Sequence, residues 1–262
     1  MHMVFHPFHL VSLSPWPILA GLNGFMVVSG MVNMFYCKKV GLLFIALLLM
    51  IVVASLWWRD VVREGTFLGD HGVEVVRGLM AGMLLFIVSE VFFFLSFFWA
   101  FFHSSLSAAV GLGSVWPPTG IISFDPFQIP LLNTIILLSS GVSVTWAHQA
   151  ILFGKWSSVK YSLMVTWLLG VYFLCLQGFE YFTCMFDISD SVFGSVFFMA
   201  TGFHGFHVVV GTLFLIIMWS RSLGEHFSTS HHFGLEAAAW YWHFVDVVWL
   251  FLFVVVYWWG GL

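Results

Sequence analysis

The chain has 262 residues, of which 61% are hydrophobic and 8% charged, with a formal net charge of −4. Soluble globular domains carry about 45–50% apolar and about 25% charged residues, so this composition excludes a water-soluble fold. With only 8 Lys and Arg in total, no nucleic-acid partner is expected.

The N-terminal stretch "MHMVFHPFHLVSLSPWP" has neither a basic n-region nor an Arg-rich amphipathic pattern, so no cleaved targeting segment is expected. Apolar runs of about 18 residues or more read as membrane-crossing helices, because about 20 residues at 1.5 Å rise span the hydrocarbon. Seven such spans follow in order, over 16–35, 40–58, 73–105, 129–153, 156–183, 191–221 and 233–259. The third and sixth are the longest and are expected to tilt or protrude. The first two spans meet at Lys38 and Lys39, and the second ends in "WWRDVVRE" (57–64). Between spans three and four, "SVWPPTG" and "DPFQIP" mark an ordered surface loop, since paired prolines block helix and remove donors. No long polar block interrupts the chain. One polytopic all-α membrane domain over 1–262 is the resulting expectation.

The eight basic residues divide unevenly between the two sides of such a bundle. Arg59, Arg63, Arg77, Lys155, Lys160 and Arg221 fall on one side, and Lys38 and Lys39 on the other. The positive-inside bias then puts the N-terminus inside and the C-terminus outside. Cys37, Cys175 and Cys184 form no close pair, so they read as small apolar fillers rather than a disulfide or thiolate site. Trp57, Trp58, Trp258 and Trp259 read as interfacial belt residues at span ends.

Ionisable groups at membrane depth cost about 2.5–3.5 kcal/mol on insertion scales and therefore mark candidate sites. Glu90 is the deepest, in the middle of "LLFIVSEVFFFLSFFWAFFH" (84–103). His204 and His207 share one face of the sixth span, and His243 and Asp246 have the same spacing in the seventh, close enough to satisfy one another. If spans three and six are antiparallel, Glu90 lies about 17 residues into one and His207 about 16 into the other, which puts them at one depth. A contact from Glu90 to His207 is expected, with His204 as second choice.

The twelve histidines admit two readings, haem or copper ligation and interhelical hydrogen bonding. Spacing alone shows no convergent ligand set, so no metal residue is assigned. The loop histidines His226, His231 and His232 read as solvated or lipid-facing. A channel or transporter with Glu90 and the intramembrane histidines on its path, and a membrane cytochrome, both stay open at this level.

Further motifs carry a resemblance. "SPWP" (14–17), "WWRDVVRE", "SEVFFFLSFFWAFFHSSL" (89–106), "WPPTGI" (116–121), "PLLNTIILLSSGVSVTWAHQAI" (130–151), "ISDSVFGSVFFMATGFHGFHVVVGTLFL" (188–215) and "HHFGLEAAAWYWHFVDVVWLFLF" (231–253) resemble subunit III of cytochrome c oxidase in its mitochondrial form. The resemblance implies seven helices, the first two separated by a lipid-filled cleft from a bundle of five. It implies no catalytic residue, haem or copper in this chain, those cofactors belonging to partner subunits, with oxidase subunits I and II and phospholipids as partners. It also implies a multi-pass location in the mitochondrial inner membrane and a role in stabilising the catalytic subunit and sustaining proton uptake. Candidate lipid-binding residues are Trp58, Arg59, Arg63, Glu64, His71 and Arg221, since guanidinium forks pair with phosphate oxygens.

Overall fold

The computed structural model describes residues 8–261. Among these, seven helices are long and apolar enough to cross a membrane, and no strand occurs. They are α1 (Trp16–Cys37), α2 (Gly41–Arg63), α3 (Val73–Leu106), α4 (Ile129–Leu152), α5 (Trp156–Phe182), α6 (Ser191–Leu223) and α7 (Phe233–Leu252). The chain divides into two compact units, one ending at Leu79 and the other beginning at Met80.

The first unit is a helical hairpin followed by the first residues of α3. Pro17 lies in the opening turn of α1, where its missing N–H removes no helical bond. The turn to α2 uses Lys38 in the left-handed region, its N–H donating to the Met34 carbonyl at 3.1 Å. Gly30 permits the crossing, because a Cβ there would lie 2.7 Å from Leu43 Cα. Helix α2 does not stop with its apolar run. It passes into a π-helical turn over Glu64–Leu68 and closes on Gly69 in the left-handed region, ten residues beyond the expected end at 58. Trp57 and Trp58 therefore stand inside the helix rather than at its end.

The second unit contains the rest of α3 and α4–α7. Along its most apolar stretch α7 is 61% buried, whereas the corresponding stretch of α3 is 6% buried. Helix α7 is thus the centre of this unit. Trp242 is fully buried, its indole N–H donating to Ser140 Oγ of α4 at 2.8 Å. Its ring rests where Gly170 of α5 and Gly211 of α6 leave room, since added Cβ atoms would come within 2.7 and 2.9 Å of the ring. One turn-pair later Trp249 donates to Thr134 of α4 at 3.0 Å. Ser143 and Thr166 join α4 to α5 at 2.8 Å, and Tyr181 and Thr201 join α5 to α6 at 2.6 Å. Lipid supplies no hydrophobic force between helices, so small residues and interhelical hydrogen bonds carry this packing.

Helix α3 docks through rings. Phe93 meets Phe203 of α6 at 5.0 Å, Phe94 meets Phe244 of α7 at 6.1 Å, and Phe101 meets Trp116 of the following loop at 5.4 Å. The first and third pairs are edge-on, an arrangement that adds about 0.5–1.5 kcal/mol per pair beyond area burial. Cys37 and Cys175 are exposed and Cys184 is half-buried, so the cysteines do not fill the core as expected.

Replacing Gly170 by Ala brings a methyl against Trp242 and Thr212. We expect a loss of about 1–3 kcal/mol, the usual range for overpacking, read as a lower midpoint of thermal unfolding in detergent. Gly178→Ala, where no atom lies within 4 Å of the added Cβ, should leave the midpoint unchanged.

Candidate functional site

Glu90 and His207 face one another inside the second unit. The interior of α3 carries Glu90 and that of α6 carries His207, and His207 Nε2 lies 2.9 Å from Glu90 Oε2. His207 Nδ1 is 2.6 Å from the Phe203 carbonyl, which can only accept, so Nδ1 carries a hydrogen. A neutral imidazole then presents a lone pair at Nε2 towards a carboxyl oxygen. The bond needs a proton, held either by Glu90 as O–H or by Nε2 of an imidazolium. In both forms the pair has no net charge, which removes most of the penalty of placing an acid in hydrocarbon.

Aromatic rings pack around the imidazole of this pair. Phe94 stands edge-on to His207 at 5.0 Å, Tyr241 stacks at 6.2 Å and Phe244 lies at 6.2 Å. The second-choice partner, His204, points elsewhere. It is buried against Trp249 at 5.3 Å and Phe173 at 5.7 Å, and neither ring nitrogen has a hydrogen-bond partner. His243 and Asp246 come no nearer than 3.9 Å, so the expected mutual satisfaction is absent. His243 turns its Nε2 to Thr145 at 3.3 Å instead.

The candidate lipid residues fall in two places. In the first unit Arg59 grips Asp60 through Nε at 3.1 Å and a terminal nitrogen at 2.9 Å, and the other Asp60 oxygen accepts from Trp16 at 2.7 Å. Glu64 meets His9 at 3.2 Å, and His9 lies edge-on to His71 at 5.4 Å. His71 packs so close to Gly65 that a Cβ there would lie 2.8 Å from its Nδ1. Trp58 and Arg63 are exposed on α2. In the second unit Arg221 stacks its guanidinium over Phe227 at 4.6 Å.

Two buried features escape the sequence reading. Glu180 of α5 is fully buried, accepting from the Tyr257 hydroxyl at 2.6 Å, while Gln177 donates to that hydroxyl at 3.4 Å. A lone acid inside the fifth span was the available signal. His232, expected to be solvated or lipid-facing, is buried, and its Nδ1 donates to the Ser228 carbonyl at 3.0 Å. Its ring lies 5.7 Å from that of His148 on α4.

The family described as cytochrome c oxidase subunit III matches residues 6–261. The chain belongs to the cytochrome c oxidase subunit III family. Relatives named cytochrome c oxidase subunit 3 include those of Drosophila melanogaster at 58% identity, Myxine glutinosa at 56% and Branchiostoma lanceolatum at 55%, each over 98% of both chains. Within this subunit III frame, Glu90 is paired with an imidazole and the buried Glu180 with a phenol, while Asp246 of α7 is buried with one carboxyl oxygen unpaired.

Tyr257→Phe removes the hydroxyl that donates to Glu180 and leaves a buried acid unsatisfied. A loss of about 1–3 kcal/mol is expected, measured by thermal unfolding in detergent. Adding Glu180→Gln to that variant should restore part of it, because the amide has less need of the missing donor.

Proposed function

We propose that this chain is a non-redox core subunit of a terminal respiratory oxidase, the complex that passes electrons from cytochrome c to oxygen while pumping protons. The match to subunit III along residues 6–261 carries this reading. The chain braces the catalytic subunit I, alongside subunit II, and sustains proton uptake. Haem and copper are assigned to those partners. In support, the two intramembrane histidines of α6 are committed to other tasks, His207 to Glu90 and His204 to a pocket of rings.

The proposed setting is the mitochondrial inner membrane, with the N-terminus in the matrix and the C-terminus in the intermembrane space. The split of basic residues, six against two, supports that orientation. Phospholipid head groups are proposed to bind at Arg59, Arg63 and His71, and at Arg221. Arg59 and Arg63 are both exposed, and Arg59 is anchored by Asp60. The Glu90–His207 bond is proposed as a packing element rather than a step in a proton path, a reading supported by its net neutrality and by the rings packed on its imidazole.

Purification in mild detergent through a tag on this chain should recover subunits I and II and a haem spectrum. Recovery of the chain alone would overturn the assignment. Glu90→Gln can still donate an amide hydrogen to His207, so the complex should assemble and pump the same number of protons per electron. Intact assembly with lost pumping would move Glu90 into the proton path. The Arg63→Ala, Arg221→Ala double variant should retain less phospholipid per complex, measured as phosphorus against haem.

A further inference from the structure

We infer that His148, His232 and Glu236 form a site for a divalent cation of the zinc type, at the end of the bundle where α4 finishes and α7 begins. Nothing in the oxidase reading requires such a site. His148 lies in the last turns of α4, His232 immediately precedes α7, and Glu236 is in the first turn of α7. One ligand atom from each lies within 4.8 Å of the other two. His232 Nε2 is 3.2 Å from Glu236 Oε1, and His148 Nε2 is 3.7 Å from the same oxygen. Ligand atoms on a tetrahedral zinc with bonds of about 2.0–2.2 Å stand about 3.4 Å apart. The two distances to Glu236 Oε1 lie on either side of that value.

Hydrogen-bond accounting makes the case independently of distance. The Nε2 atoms of both histidines are buried and have no hydrogen-bond partner. His232 itself is only 7% exposed. Its Nδ1 donates to the Ser228 carbonyl, and that loop is pinned in turn by Ser228 Oγ accepting from the His231 N–H at 2.9 Å. This is the outer arrangement typical of metal-binding imidazoles, in which one nitrogen is fixed on a carbonyl so that the other presents its lone pair. That lone pair faces a carboxylate and a second imidazole nitrogen.

Three acceptors that converge repel one another unless a positive charge lies between them. A single proton can join His232 to Glu236, but it leaves His148 Nε2 without a partner. A divalent cation satisfies all three atoms at once. Two imidazoles and one carboxylate suit zinc and its borderline neighbours, whereas magnesium and calcium prefer oxygen alone. His148 keeps 32% of its side chain exposed, which gives the cation a way in and leaves a coordination position for water.

The test uses the intact oxidase complex, equilibrated with micromolar free zinc and then washed by gel filtration. Zinc per complex is measured by mass spectrometry for the wild type, Glu236→Gln and His148→Gln. The wild type should hold one equivalent more than either variant, and its zinc-edge absorption difference spectrum should show imidazole scattering. Equal zinc in all three preparations overturns the site. If the variants fail to assemble, the wild type alone decides the matter. Zinc should then protect His148 from diethyl pyrocarbonate, read on the peptide that contains it, and equal modification with and without zinc overturns the proposal.

Discussion

The insertion of Trp242 between three other helices is the constraint from which the larger unit follows. An indole is bulky, it carries a donor, and in hydrocarbon that donor must find an acceptor within the protein. Ser140 of α4 accepts it, while Gly170 of α5 and Gly211 of α6 provide the space. One side chain thus fixes the azimuth of α7 against α4, α5 and α6 together. Trp249, seven residues on, repeats the donation to Thr134 and holds the register along the α4–α7 seam.

Polar atoms in this environment are handled in three ways. Serine and threonine hydroxyls mostly bond carbonyls three or four residues back in their own helix, as Ser89, Ser96 and Ser104 do, so these satisfy themselves without tying helices together. Indole and phenol donors reach across to other helices and fix their rotation. Acids need a partner that can share a proton or donate one, and Glu90 and Glu180 have each found one on an element remote in sequence. These same couplings let α3 stay attached while burying little of its surface.

Much of this could be read from the sequence wherever geometry is local. Helical rise is fixed, so the depth of Glu90 and His207 followed from counting residues, and the meeting of those two residues depends on little else. Choosing between His207 and His204 needs the rotation of α6, which the packing of Phe173 and Trp249 sets. Hydropathy ends at Trp58, but the helix does not, because a backbone helix continues in water as long as its own hydrogen bonds and Arg59, Asp60 and Glu64 support it. The burial of His232 and the partner of Glu180 depend on chain segments that come together only in the finished bundle. No pattern within a window of 20 residues contains that information.

The bond between Glu180 and Tyr257 spans 77 residues of chain. At about 5–20 residues per second of synthesis, the acid is made roughly 4–15 seconds before its donor exists. During that interval α5 is already a membrane helix with an unmatched carboxyl near its end, and the group that completes it is still to come. The segment that carries Tyr257 is therefore a closing element of the bundle, and a chain cut just before it would hold its most deeply buried acid without a donor.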